Sequence, residues 1–182
     1  MKFVNLYLQT EYSMLQSTCK IASTVTLAKE YNYHAIAITD EGNMHGVIKF
    51  YTACKENNIH PIIGLKITYI HNEQKHTLLL YASNKTGYVN LMKISSRSKI
   101  LDGVVDLDYI SRSAYGVIAV YPYFENENDD WNYDNILSLQ HIFHHFYIGL
   151  CYNNSNNNFK HVYDNIQSKN ITITNSFQCT IW

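Results

Sequence analysis

Ala35-Ile36-Ala37-Ile38-Thr39-Asp40-Glu41-Gly42-Asn43-Met44-His45-Gly46 is the stretch that decides the fold class. Its first five residues, Ala35 to Thr39, form a short continuous apolar run, the pattern of a strand buried on both faces. Asp40-Glu41-Gly42-Asn43 then supplies turn chemistry. From Met44 the period changes, because Val47, Phe50, Tyr51 and Cys54 share one helical stripe; this predicts a helix over 44–57, stopped at Asn57-Asn58. A strand, a tight turn and a helix in close succession form the repeating unit of a parallel α/β fold.

The same rhythm extends in both directions. Residues 3–8 alternate as a short strand, and Ile21, Val25 and Ala28 predict a helix over 20–31. Beyond Pro61, residues 62–70 are rich in β-branched side chains; a polar turn at 71–75 and an apolar return at 76–82 predict a hairpin. Helices are expected over 86–99, 131–145 and 159–169, with strands over 116–120, 146–152 and 171–174. The acidic, Asn-rich residues 124–130 read as a surface excursion, and the 153–158 Asn run as a solvated loop. Such alternation calls for an α/β fold with a mainly parallel sheet or barrel, whose sites gather where strands end at their carboxyl edges.

Composition narrows the function classes. A chain of 182 residues with 46% hydrophobic and 16% charged residues is built as one globular domain rather than a disordered segment. A net charge of −1 supplies no bulk field for DNA, RNA or an anionic membrane. No apolar run approaches the roughly 18 residues of a membrane span, and the Met1-Lys2-Phe3-Val4 start turns polar too soon for a signal peptide, so a cytoplasmic location is expected. Cys19, Cys54, Cys151 and Cys179 stand far apart with no C-x-x-C pair, and are expected to be small buried hydrophobes. The 16 tyrosines lack the interleaved Lys and Arg that a nucleic-acid platform needs.

At the expected strand ends lie Glu11, Asp40, Glu41, His45 and Lys66. Two adjacent carboxylates and a histidine are potential ligands of a divalent ion. Capping of the following helix by Asp40 and its neighbours is the favoured reading. His141, His144 and His145 have helical i, i+3, i+4 spacing that suits zinc, but equally suits the negative end of a helix dipole. Phosphate-binding glycine loops and nucleophile-elbow motifs are absent, and Ser13, Ser17 and Ser23 have no neighbouring His to activate them.

Phe3-Val4-Asn5-Leu6-Tyr7-Leu8-Gln9-Thr10-Glu11-Tyr12-Ser13-Met14-Leu15 is similar to F-V-H-L-H-V-H-S-E-Y-S-x-L, and Ala35 to Gly46 to A-L-A-I-T-D-H-G-N-M-x-G. Phe50-Tyr51-Thr52-Ala53-Cys54-Lys55, Ile59-His60-Pro61-Ile62-Ile63-Gly64 and Gly87-Tyr88-Val89-Asn90-Leu91 follow in the same order as F-Y-x-A-C-K, I-x-P-I-I-G and G-Y-x-N-L. Together they resemble the polymerase-and-histidinol-phosphatase (PHP) domain, in the branch found in the bacterial replicative DNA polymerase III alpha subunit. The resemblance implies a PHP-type distorted (β/α)7 barrel, incomplete at its C-terminus, filling residues 1–182 as the N-terminal fragment of a much longer polymerase chain. The apolar Ile181-Trp182 end is then expected to be left exposed.

The resemblance also implies a metal site at the barrel mouth, and here the residues depart from the pattern. Tyr7 and Gln9 stand where the H-x-H pair belongs, Gln16 at the next acid, Glu41 at the His of T-D-H-G, and Lys66 at the Glu after P-I-I-G. The hairpin His falls at Thr77, with His76 one place off, and the closing D-x-H at Ser176 and Gln178. Phenol, amide and ammonium groups are poor ligands for zinc, manganese or magnesium at neutral pH. The expectation is therefore a catalytically silent domain without cofactor, in which Lys66 pairs with Glu41 or Asp40 across the mouth in place of a metal. Its expected partners are the rest of the polymerase chain and a proofreading exonuclease subunit, with DNA reached only through the full polymerase and no membrane. The alternative is an active metal-dependent phosphoesterase or 3′-5′ exonuclease whose site is rebuilt from Asp40, Glu41, His45 and His76.

Overall fold

The computed structural model describes residues 4–123, 133–149 and 173–174. Twelve elements follow in order: α1 (Ile21–Glu30), β1 (Ala35–Ile38), α2 (Val47–Glu56), β2 (His60–His71), β3 (Gln74–Ala82), α3 (Lys85–Ile100), β4 (Val104–Asp106), α4 (Leu107–Arg112), β5 (Val117–Pro122), α5 (Tyr133–Ile142), β6 (His145–Gly149) and β7 (Ile173–Thr174). The strands form one sheet in the order β1-β2-β3-β5-β6-β7, with β4 also pairing β2. The sheet is mixed. β1–β2, β2–β4, β5–β6 and β6–β7 are parallel, while the β2–β3 hairpin and the β3–β5 pair are antiparallel.

Side-chain alternation gives the sheet two unlike faces. Leu65, Ile67 and Tyr69 of β2 and Leu78 and Leu80 of β3 pack outward with Leu91 and Ile94 of α3, Ile110 of α4 and Leu139 of α5. Ile36 and Ile38 of β1 pack outward with Ile21, Val25 and Ala28 of α1 and Val47, Phe50 and Cys54 of α2. The other face carries Ala37, Leu79, Tyr81 and Val120, packed with Leu6, Tyr7, Ile62 and Tyr147. Helices thus cover the convex side of a curled, incomplete barrel. The concave side is lined by alternate strand residues, and β2 places Lys66 and Thr68 on it in phase with Ile62.

The helices start and stop for local reasons. α3 is capped by Asn84, whose side chain accepts from Gly87 N at 2.9 Å. Gly87 packs so closely on the Gly116 carbonyl that any Cβ there would overlap it. Two buried polar side chains bind across this core: Asn90 Nδ2 donates to Tyr115 O at 2.9 Å, and Tyr69 OH to Asn135 Oδ1 at 2.9 Å. No helix among the described residues is long and apolar enough to cross a membrane.

Several expectations are corrected. Residues 4–8 are not a ladder strand: they run beside β1 through a single bridge, Asn5 to Ile36, and a bond from Ala37 N to Asn5 O at 2.8 Å. α2 begins at Val47 rather than at Met44, because Asn43 Oδ1 accepts from His45 N in a side-chain turn. α5 ends at Ile142, so His144 and His145 lie in the entry to β6 and not on a helical face with His141; the zinc reading of that triplet loses its geometry. β4 and α4 arise in residues that carry no periodic signal long enough to read. Residues 124–130 and 153–158, the 159–169 helix, Cys151, Cys179, Ser176, Gln178, Ile181 and Trp182 lie outside the described residues.

Cys54 is fully buried on α2, and that burial pushes its thiol up to about 11 from an ordinary value of 9.0. Because the fold disfavours the thiolate, this group's contribution to stability is intact below pH 9.0 and is lost as pH rises toward about 11. Alkylation of the folded chain near pH 8 is expected to spare Cys54 and to reach the half-buried Cys19. Peptide mapping checks this, and Cys54 labelling at the rate of a free thiol would contradict it.

Candidate functional site

Beyond Ile38 the chain leaves the ladder and turns at the sheet's edge. Thr39 locks to the N-terminal segment, with Thr39 N donating to Leu8 O at 2.8 Å and Leu8 N to Thr39 Oγ1 at 2.9 Å. Asp40 comes next and is only 2% exposed. An isolated carboxylate there would be costly to bury, and three donors meet it. Thr10 N lies 2.6 Å and Ser13 Oγ 2.7 Å from Oδ1, while Thr10 Oγ1 lies 2.8 Å from Oδ2. Asp40 therefore does not cap α2, whose N-cap is Gly46 without a side-chain bond. It clamps the loop of residues 10–19 instead.

That loop is held at several further points. Glu11 N donates to Cys19 O at 2.9 Å, Ser17 Oγ to Gln9 O at 2.7 Å, and Asn43 Nδ2 to Tyr12 O at 3.1 Å. The Ser13 oxygen also accepts from Glu41 N at 3.1 Å. Tyr81 OH donates to Leu6 O at 2.7 Å; burial, together with the neighbouring Tyr7, pushes this phenol far above its ordinary value, so it serves as a fixed donor. The exposed Glu11–Lys49 pair at 2.7 Å adds little to this frame.

With the frame fixed, the mouth residues fall into two groups. Glu41 and Lys66 form a parallel bridge, with Gly42 N donating to Lys66 O at 2.8 Å and Lys66 N to Asp40 O at 3.1 Å. Their side chains meet as an ion pair, Nζ to Oε2 at 3.2 Å, largely out of solvent. Lys66 Nζ also donates to Tyr7 OH at 3.2 Å, and Thr68 Oγ1 to Glu41 Oε1 at 3.4 Å. Gln9 and Gln16 pair with each other, Nε2 to Oε1 at 2.6 Å. Thr77 sits on β3 opposite Thr68. Such a cluster can hold strands and offer hydrogen bonds, but its ammonium and carboxylate largely cancel.

The residues of the alternative site are dispersed. Asp40 is engaged by Thr10 and Ser13, and Glu41 by Lys66 and Thr68. His45 is exposed, and His76 lies buried beside Tyr69, with ring centroids 5.4 Å apart. Among the described residues no three His, Cys, Asp or Glu side chains group closely enough to hold a metal ion. Sequence reasoning placed Thr10, Ser13 and Thr68 at the strand ends without assigning them these bonds, and missed Tyr81. The one available signal was Asp40 itself: a carboxylate directly after a fully buried strand needs donors, and Thr10 and Ser13 stand three apart in the preceding polar loop.

Replacing Asp40 by Asn turns one acceptor into a donor facing Thr10 and Ser13. Asp40→Asn is expected to cost about 2–4 kcal/mol in urea unfolding, and to open residues 9–19 to protease and amide exchange before the rest of the chain. A variant as stable and as well protected as the parent would contradict the clamp.

A sequence model of the PHP domain family matches residues 5–126. The DNA polymerase III alpha subunit of Bacillus subtilis is 37% identical over 127 residues, covering 67% of this chain and 11% of that protein. Its counterpart from Halalkalibacterium halodurans is 40% identical over 97 residues, 53% of this chain and 9% of that protein, and that from Helicobacter pylori 43% identical over 103 residues, 52% and 8%. The chain thus spans only about a tenth of the length of these relatives. Among solved structures, an amidohydrolase from Chromobacterium violaceum, with bound sulfate and no metal, has a TM-score of 0.68 at 8% identity over 96% of this chain and 86% of that one. A two-domain protein from Bacteroides vulgatus, containing a predicted PHP-like metal-dependent phosphoesterase, has a TM-score of 0.60 at 13% identity, covering 93% and 49%. The fold, the ordered motifs from Asn5 onward and the family match agree: the chain belongs to the PHP domain family.

Proposed function

We propose that this PHP domain is catalytically silent and holds no metal, and that it acts as a structural scaffold in a DNA polymerase III alpha-type chain for DNA replication in the cytoplasm. The Lys66 ammonium carries the reading, lying 3.2 Å from both Tyr7 OH and Glu41 Oε2. A divalent ion needs converging anionic or imidazole donors. At this mouth the sole carboxylate among the aligned ligand positions that fall in described residues is Glu41, and it already faces a positive charge. The donor set does not suit a metal. The similarity to polymerase alpha subunits supports placement in a longer replicative chain, where the remaining domains would supply polymerisation and DNA contact. A proofreading exonuclease subunit is the further partner this reading expects.

In place of a metal, the ion pair fastens the end of β1 to β2. The chain purified without chelator is expected to carry well under one equivalent of zinc, manganese or magnesium by plasma mass spectrometry. Manganese is expected to leave phosphodiester hydrolysis at background. Lys66→Met and Glu41→Gln should each cost about 1–3 kcal/mol in unfolding, and the double variant less than their sum. Stoichiometric metal together with turnover lost in Glu41→Gln would overturn the reading.

A further inference from the structure

α3 carries a second stripe outside the hydrophobic clusters of the described residues. Its inner face buries Gly87, Asn90, Leu91, Ile94, Ser95 and Ser98. The outer face repeats the same spacing with Val89, Met92, Ser96 and Ile100, at i, i+3, i+7 and i+11, which an ordinary surface helix would fill with polar residues. Val89, Met92 and Ile100 are 37%, 39% and 71% exposed. With Tyr109 of α4 as the opposite wall, they line an open groove of about 390 Å³ whose rim bears Lys93 and Arg97. Arg97 is aligned along this wall, 5.4 Å from the Tyr109 ring centroid and 3.1 Å from Asp106 Oδ2.

Charge says what the groove fits. α3 contains Lys85, Lys93, Arg97 and Lys99 and no acidic residue, although the whole chain has a net charge of −1. With Arg97 already paired to Asp106, Lys85, Lys93 and Lys99 are the cations that flank the apolar stripe. A nucleic acid would lay its phosphate backbone across three aliphatic side chains in the centre of the groove, which disfavours it. A helix presenting an apolar ridge between acidic flanks matches both features. We propose that the α3–α4 groove docks an acidic amphipathic helix carried by a partner protein. This surface lies on the convex, helix-covered side, and the inference stands or falls independently of the ion pair at the mouth.

The test uses the 182-residue chain and a fluorescein-labelled synthetic peptide of about four helical turns, with Leu at i, i+3 and i+7 and Glu on both flanks. Anisotropy is expected to rise saturably and to weaken with added salt. Binding should fall about tenfold or more in Ile100→Glu and Met92→Glu, and likewise when the peptide's Glu residues are replaced by Lys. Both positions are exposed, so unchanged melting curves will show that the variants fold. Amide shift changes in the labelled chain should centre on Val89, Met92, Arg97 and Ile100. The proposal is overturned by no saturable binding, by equal binding of the Lys-flanked peptide, or by variants that bind like the parent. Single-stranded DNA that competes for the groove, or self-association abolished by Ile100→Glu, would assign it to another occupant and overturn it equally.

Discussion

The buried Asp40 carboxylate is the constraint from which the mouth of the barrel follows. A charge at 2% exposure must be met by donors, and those donors come from Thr10 and Ser13, 30 and 27 positions earlier in the chain. The loop of residues 10–19 therefore cannot settle apart from β1, nor can the end of β1 be buried without the loop. Ser13 then uses its remaining oxygen capacity to accept from Glu41 N, which fixes the turn that swings Glu41 toward β2. Tyr7 and Gln9 inherit their places from the same closure.

Strand alternation keeps this polar construction out of the core. Leu65, Ile67 and Tyr69 face the helices, whereas Lys66 and Thr68, one step out of phase, face the concave side. Residues at the mouth can therefore change character without disturbing the packing of Leu91, Ile94 or Ile110 behind the sheet. The side chains of Gln9, Lys66 and Thr68 at the mouth are accordingly not members of the convex core.

The sequence was legible wherever one local signal dominated. The stripe of Ile21, Val25 and Ala28 places α1 and names the residues it buries, and the run 35–39 marks β1, which ends one residue sooner at Ile38. The hairpin turn fell at 71–75, where β2 and β3 meet. Legibility failed where partners are distant or signals short. Asp40 looked like a helix cap because capping is a local interaction, while its real partners lie across the sheet edge. His141, His144 and His145 had helical spacing, but spacing cannot report that the helix ends at Ile142. β4, three residues long, is defined by its pairing with Thr68 to Ile70 rather than by its composition.

The pairing pattern also says why an ion pair belongs at Lys66. β1 accompanies β2 only as far as Ile63, and β4 takes up the same edge from Thr68. Between them the edge is held by the Glu41–Lys66 bridge alone among the described strand pairings. A partly buried pair of this kind contributes little net stability once desolvation is counted. Its larger effect is on register. Sliding β2 by one residue would turn Lys66 into the packed face beside Leu78 and Leu80 and leave Glu41 opposite an apolar side chain. That arrangement buries one charge and strands the other, an error far more costly than the pair's own net contribution. The ion pair thus works chiefly by excluding the neighbouring alignment.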